Sequence, residues 1–132
     1  MADRDVLIVG LGHIGLPLAV TLAQTGMKVL GVDASPLAIE SIRKGEPLVH
    51  EPGIQELLAI HLDENLTVSL PQNISDDPFP KIIVVCVAPG QTSQEVLPDL
   101  SSLEVASRWI CSGLTGGELI VVRSTVPIGT TR

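Results

Sequence analysis

The stretch Val6-Leu7-Ile8-Val9-Gly10-Leu11-Gly12-His13-Ile14-Gly15 decides the fold of this chain. Four apolar residues run directly into a G-x-G-x-x-G turn. Residues 14–25 then read as a helix. Pro17 suits its first turn, where a missing N–H costs little, and Gly26 closes it. A second apolar run, over 28–32, ends on Asp33. Strand, glycine turn, helix, strand and acid follow one another as in a dinucleotide-binding βαβ unit.

Each of these residues has a physical task in that unit. Gly10 lets the chain turn sharply out of the strand. Gly12 has no Cβ, so a pyrophosphate can approach the backbone. Gly15 lets the helix pack closely on the sheet. Free N–H groups at the helix start, together with the helix dipole, favour the phosphate charge. Asp33 can accept hydrogen bonds from the adenosine ribose hydroxyls. Its charge would repel a 2′-phosphate, which favours NAD over NADP. His13 borders the turn without an assigned chemistry.

A length of 132 residues fits one domain with a core of its own. Hydrophobic residues make up 45% of the chain, yet Phe79 and Trp109 are its only aromatics. The core must therefore be aliphatic, which suits a parallel sheet covered on both faces. A net charge of -7 argues against nucleic acid or an anionic membrane as partner. Gly, Pro, Asp and Lys interrupt every apolar run before it could span a bilayer. Residues 1–5 lead straight into the first strand, which predicts no secretory signal and a cytoplasmic protein. Cys86 and Cys111 form neither a metal nor a disulfide pattern, and both read as small core or near-surface residues rather than nucleophiles. No metal site is expected.

Strands are predicted at 6–10, 28–33, 66–70, 82–87 and 119–122. Ser35-Pro36 is a good helix start, and Gly45 stops the helix that follows it. Ile54, Leu57 and Leu58 mark a short helix after Pro52-Gly53. Residues 71–80 form a polar, proline-containing loop where a doubly wound fold would often place a helix. Residues 98–112 read as a helix with Leu100, Leu103, Ala106 and Ile110 on one side. Alternating strands and helices imply an α/β, Rossmann-type doubly wound, mostly parallel sheet of order 3-2-1-4-5. Residues 1–132 are read as one NAD-binding domain. A full dinucleotide fold commonly adds a sixth strand, so the chain is expected to be part of a longer protein.

Three further segments narrow the family: Gly45-Glu46-Pro47-Leu48-Val49-His50-Glu51-Pro52-Gly53, Val84-Val85-Cys86-Val87, and Ser124-Thr125-Val126-Pro127-Ile128-Gly129-Thr130-Thr131. With the glycine turn and Gly31-Val32-Asp33, they resemble the N-terminal domain of the nucleotide-sugar dehydrogenases. Members of that family act on UDP-glucose, UDP-N-acetylmannosamine or GDP-mannose. The resemblance implies that the intact protein oxidises the C6 alcohol of a UDP- or GDP-sugar to a carboxylate with two NAD. The reaction would pass through a cysteine thiohemiacetal and thioester. The family's nucleophilic cysteine motif does not occur in these residues, so the chain by itself is expected to be inactive.

The resemblance also implies cofactor contacts at Gly10, Gly12, His13, Ile14, Gly15 and Asp33. It adds Val87 and Ala88 after the fourth strand, and Ser124 and Thr125 after the fifth. Thr125 would have an auxiliary catalytic role, positioning a water or hydroxyl. Glu51 would lie near the cofactor or a domain junction. The nucleotide sugar would be held by other domains, and the intact protein would form a homo-oligomer. Two positions depart from the family pattern. Val87-Ala88-Pro89-Gly90 lacks the usual threonine, and Ala38 stands where a basic residue is common. Two other readings remain open: a stand-alone NAD-binding or regulatory module without chemistry, and the N-terminal domain of a 6-phosphogluconate- or hydroxyacid-type dehydrogenase.

Overall fold

The computed structural model describes residues 4–74, 78–87 and 101–124. Strand β1 spans Val6–Val9, helix α1 Gly15–Gln24 and strand β2 Val29–Val32. Helices α2 (Pro36–Arg43) and α3 (Ile54–His61) then lead to β3 (Leu66–Ser69). A single 3-10 turn, Pro71–Asn73, precedes β4 (Ile82–Val85). Helix α4 (Ser101–Gly113) leads to β5 (Leu119–Val122). The five strands form one sheet of order β3-β2-β1-β4-β5, and every pairing is parallel. This is the order the sequence predicts.

Local chemistry explains the elements. Leu16, Ala19, Val20 and Ala23 are buried on one stripe of α1, at the spacing of a helix packed on a sheet. Gly26, at φ +96°, ends that helix, with its N–H bonded to Ala23 O at 3.0 Å. Ser35 caps α2, its Oγ accepting from the Ala38 N–H at 3.2 Å, with Pro36 as first helical residue. Gly45, at φ +75°, closes α2 as expected. Ala38 lies in the first turn of α2, half-buried.

Side chains alternate across the sheet. Val6 and Ile8 face the layer made by α1, α2 and α3, in a core with Leu16, Val20, Ile39, Ile42 and Leu58. Leu7 and Val9 face the opposite way, onto Leu103 and Ile110 of α4. The sheet is thus covered on both faces through β1 and β2. β5 departs from that expectation: all four of its residues, Leu119, Ile120, Val121 and Val122, are exposed. It forms the edge of the sheet among the described residues.

The β3–β4 crossover holds no α-helix among the described residues, as the polar loop suggests. Phe79 takes over part of a helix's packing role. Its ring is buried in the α4-side core and packs on Trp109, with centroids 4.9 Å apart. A Cβ on Gly113 would stand 2.4 Å from that ring, so the glycine at the end of α4 leaves room for Phe79.

The strands are one or two residues shorter at their C-terminal ends than predicted, except β5. The residue after β1, β2 and β4 still donates one bond to a neighbour. Gly10 N–H reaches Val32 O at 2.8 Å, and Cys86 N–H reaches Val9 O at 2.7 Å. Beyond those bonds the ladder opens, and the strand ends line up along one rim.

At the opposite rim, the turn before β5 is held by one carboxylate. Glu118 accepts from the Thr115 N–H, the Thr115 hydroxyl and the Gly116 N–H, each at 2.8 Å. These donors, the Thr115 amide foremost, hold Glu118 down to about 2 from the usual 4.5. The group is charged in the folded chain at a pH where the unfolded chain binds a proton. Its contribution is therefore complete above about pH 4.5 and disappears as the pH falls toward 2. Acid titration of thermal stability should show this loss in the native chain, and Glu118→Gln should flatten that part of the curve. An unchanged acid profile in the variant would refute the assignment.

A second expectation contrasts two glycines. A Cβ on Gly15 would fall 1.6 Å from the Gly10 carbonyl oxygen, whereas a Cβ on Gly12 meets nothing within 4 Å. Gly15→Ala should cost about 2–4 kcal/mol, the range of severe overpacking, and Gly12→Ala less than about 0.5 kcal/mol. Denaturant melts of the two variants check the difference.

Candidate functional site

The rim of strand ends borders a cleft of about 860 Å³. One wall is the glycine turn, with Gly10, Gly12, His13 and Ile14; Asp33 and Ala34 stand beside it at the end of β2. Cys86 and Val87, after β4, and Ser124, after β5, continue the same rim. The opposing wall is α4, through Ser102, Val105, Ala106 and Trp109. Pro71 and Gln72 close the side next to β3.

The turn is built so that some amides are used and others are free. Gly10 adopts φ +98°, and a Cβ there would meet the Cys86 carbonyl at 2.9 Å. Only glycine makes this exit without strain. The Gly10 N–H bonds to β2 and the Leu11 N–H to Asp33 Oδ2 at 2.9 Å. The N–H groups of Gly12, His13 and Ile14 have no acceptor among the described residues, and all three residues are exposed. No acidic side chain lies in the first turn of α1. The start of α1 therefore presents free donors and the positive end of a helix dipole to the cleft.

Asp33 is half-buried, and both of its oxygens are engaged by backbone. Oδ2 accepts from Leu11 N–H and Oδ1 from Ser35 N–H, each at 2.9 Å. A carboxylate has about four acceptor sites, so two remain for a ligand. Ser124 Oγ lies 3.5 Å from Val85 O, a long contact that leaves the hydroxyl near the rim.

The structure gathers Gly10, Gly12, His13, Ile14, Asp33, Val87 and Ser124 around one cleft. Gly15 stands behind it. It is buried, and its missing Cβ admits the Gly10 carbonyl. Ala88 and Thr125 lie outside the described residues. Glu51 is exposed and does not line the cleft; its carbonyl accepts from Ile54 N–H at 3.2 Å, in the turn that opens α3.

Sequence reasoning missed the α4 wall. Its signal was present: Ser102, Val105, Ala106 and Trp109 recur at i, i+3, i+4 and i+7 beside the Leu103–Ile110 core stripe. Val105, 67% exposed, makes sense as lining of a cleft.

Cys86 is buried at the floor of the cleft, and burial pushes its thiol up, with Arg123 opposing weakly. A higher pKa keeps the group as a neutral thiol near pH 7, which disfavours nucleophilic chemistry. Among the described residues no cluster of His, Cys, Asp and Glu could hold a metal ion.

Parallel strands, a glycine turn opening a helix and an acid at the end of β2 define a dinucleotide-binding α/β domain. Residues 4–132 match the family model described as UDP-glucose/GDP-mannose dehydrogenase family, NAD binding domain. The chain belongs to that family and is its NAD-binding domain. It is 33% identical over 128 residues to an NDP-N-acetyl-D-galactosaminuronic acid dehydrogenase of Ralstonia nicotianae, covering 97% of this chain and 29% of that protein. A UDP-N-acetyl-D-mannosamine dehydrogenase of Campylobacter jejuni is 33% identical over 130 residues, covering 97% and 30%. The solved UDP-D-ManNAc dehydrogenase of Pyrococcus horikoshii superposes with a TM-score of 0.85 at 32% identity, over 97% of this chain and 30% of that one. The chain thus spans about 30% of the length of the relatives it matches. Membership of this family sets aside the 6-phosphogluconate- and hydroxyacid-type alternatives. No helix among the described residues is long and apolar enough to cross a membrane.

The two thiols should differ in reactivity. Cys111 is exposed and Cys86 buried. Maleimide labelling followed by mass spectrometry should modify Cys111 at least tenfold faster at neutral pH. Equal rates would contradict the closed floor of the cleft.

Proposed function

We propose that the cleft along the strand ends is where this domain holds NAD, as part of a protein that oxidises a nucleotide sugar. The observation that carries this reading is the open space over Gly12, flanked by the free amides of His13 and Ile14. The pyrophosphate would lie there, against donors that need no rearrangement. Asp33, with two acceptor sites left, would take the adenosine ribose hydroxyls and disfavour a 2′-phosphate. The apolar face of Val105 and Trp109 suits a flat aromatic base.

Bound NAD would supply a hydride acceptor, and this chain's residues would orient it. Val87 and Ser124 line the cleft at the ends of β4 and β5. Ala88 and Thr125, next in sequence, are proposed to extend that contact toward the nicotinamide. In the intact protein, Thr125 would position a water or the sugar hydroxyl. The alcohol would pass through the aldehyde to a carboxylate, with two NAD consumed. The relatives are named as dehydrogenases of N-acetyl-mannosamine and N-acetyl-galactosaminuronic acid nucleotide sugars, which favours that role over a module without chemistry. A thiolate nucleophile would have to come from outside these residues, so the chain by itself should bind NAD without reducing it.

Trp109 is the only tryptophan and borders the cleft, so its fluorescence reports binding directly. NAD should change it saturably, and NADP should bind at least tenfold more weakly. Gly12→Val should abolish the response by filling the space over the turn. Asp33→Ala should weaken binding by about 1–3 kcal/mol, the scale of a hydrogen bond to a charged group. Unchanged NAD affinity in Gly12→Val would overturn the site.

A further inference from the structure

Leu11 is pinned twice. Its side chain is buried and lies over Gly31 of β2, where a Cβ would meet it at 2.9 Å. Its N–H donates to Asp33 Oδ2 at 2.9 Å, across from the end of the same strand. The next residues, Gly12, His13 and Ile14, line the cleft, and their amides have no acceptor among the described residues. Their direction therefore depends on how Leu11 is held. Asp33 is itself held by the Ser35 N–H on its other oxygen, at 2.9 Å.

From this arrangement we infer that Asp33 is a positioning residue for the pyrophosphate amides as well as a ribose acceptor, which rests on the reading of the cleft as the NAD site. The carboxylate fixes Leu11 from β2, and Leu11 sets the free amides that follow it. Two of the carboxylate's acceptor sites serve backbone and two serve the ribose, so the tasks are compatible. The ribose and phosphate ends of the site are then coupled through one side chain.

The coupling has a sign that separates it from simple electrostatics. Removing a negative charge near an anion site should tighten anion binding. Loosening the turn should weaken it. Inorganic pyrophosphate and adenosine, titrated separately into the 15N-labelled chain, isolate the two ends. The His13 and Ile14 amide resonances report pyrophosphate binding. In Asp33→Ala, pyrophosphate should bind at least threefold more weakly, although the variant is less negative, and adenosine should also weaken. Pyrophosphate binding that is unchanged or tighter, with adenosine alone impaired, overturns the positioning role and leaves the NAD site standing. Failure of the native chain to bind NAD overturns the site itself. A measurement on the native chain needs no variant: without ligand, the Leu11 amide should exchange with solvent at least tenfold more slowly than the His13 amide. Equal exchange rates would also overturn the inference, even if Asp33→Ala does not fold.

Discussion

The approach of the Gly10 carbonyl to the first residue of α1 is the contact on which the rest of the molecule depends. No other residue fits at position 15, because a Cβ would overlap that oxygen. With the overlap absent, α1 begins directly behind the turn, and its apolar stripe meets Val6 and Ile8 on the sheet. Dense packing makes such contacts all-or-none, since interiors hold few voids into which a displaced helix could relax. The same placement leaves the helix start at the rim of strand ends. Packing and ligand geometry are thus consequences of one missing methyl group.

The two faces of the sheet solve their packing differently. One carries three helices and an aliphatic core from Leu16 to Leu58. The other carries α4, with Phe79 delivered from the short crossover after β3. A single ring supported by Trp109 does there what a helical stripe does on the opposite face. Trp109 then has two surfaces, one against Phe79 and one toward the cleft. The apolar wall of the cleft is therefore fixed by the core beneath it.

Strand order, helix positions and the glycine turn were legible because each rests on a local signal. Alternating apolar runs, Ser35-Pro36, Gly26 and Gly45 mark boundaries without help from tertiary structure. The family segments read from sequence agree with the match over residues 4–132. Less local features were not legible. The second bond of Asp33, to Leu11, joins residues that only the parallel register brings together. Gly15 reads in the motif as a close-packing glycine, but that its partner is the Gly10 carbonyl oxygen is visible only in space. Ser102, Val105 and Trp109 share a helix with the core stripe, and periodicity alone does not say which stripe faces a ligand. The exposure of β5 is invisible in Leu-Ile-Val-Val, a sequence that reads as buried.

Parallel pairing also sets how distant in sequence the contacts of the central strand are. Val6 pairs with Val29 on one side but with Ile82 on the other, so the second edge of the central strand waits for a distant part of the chain. Loop closure of that length carries an entropic cost before any contact offsets it. The glycine turn and Asp33 belong to the half closed by near contacts, whereas the α4 wall comes from the distant half. Both walls of the cleft coexist only when the last crossover is in place. Any molecule that fills the cleft therefore selects completed chains over partly assembled ones, and its occupancy feeds back on the yield of folded protein.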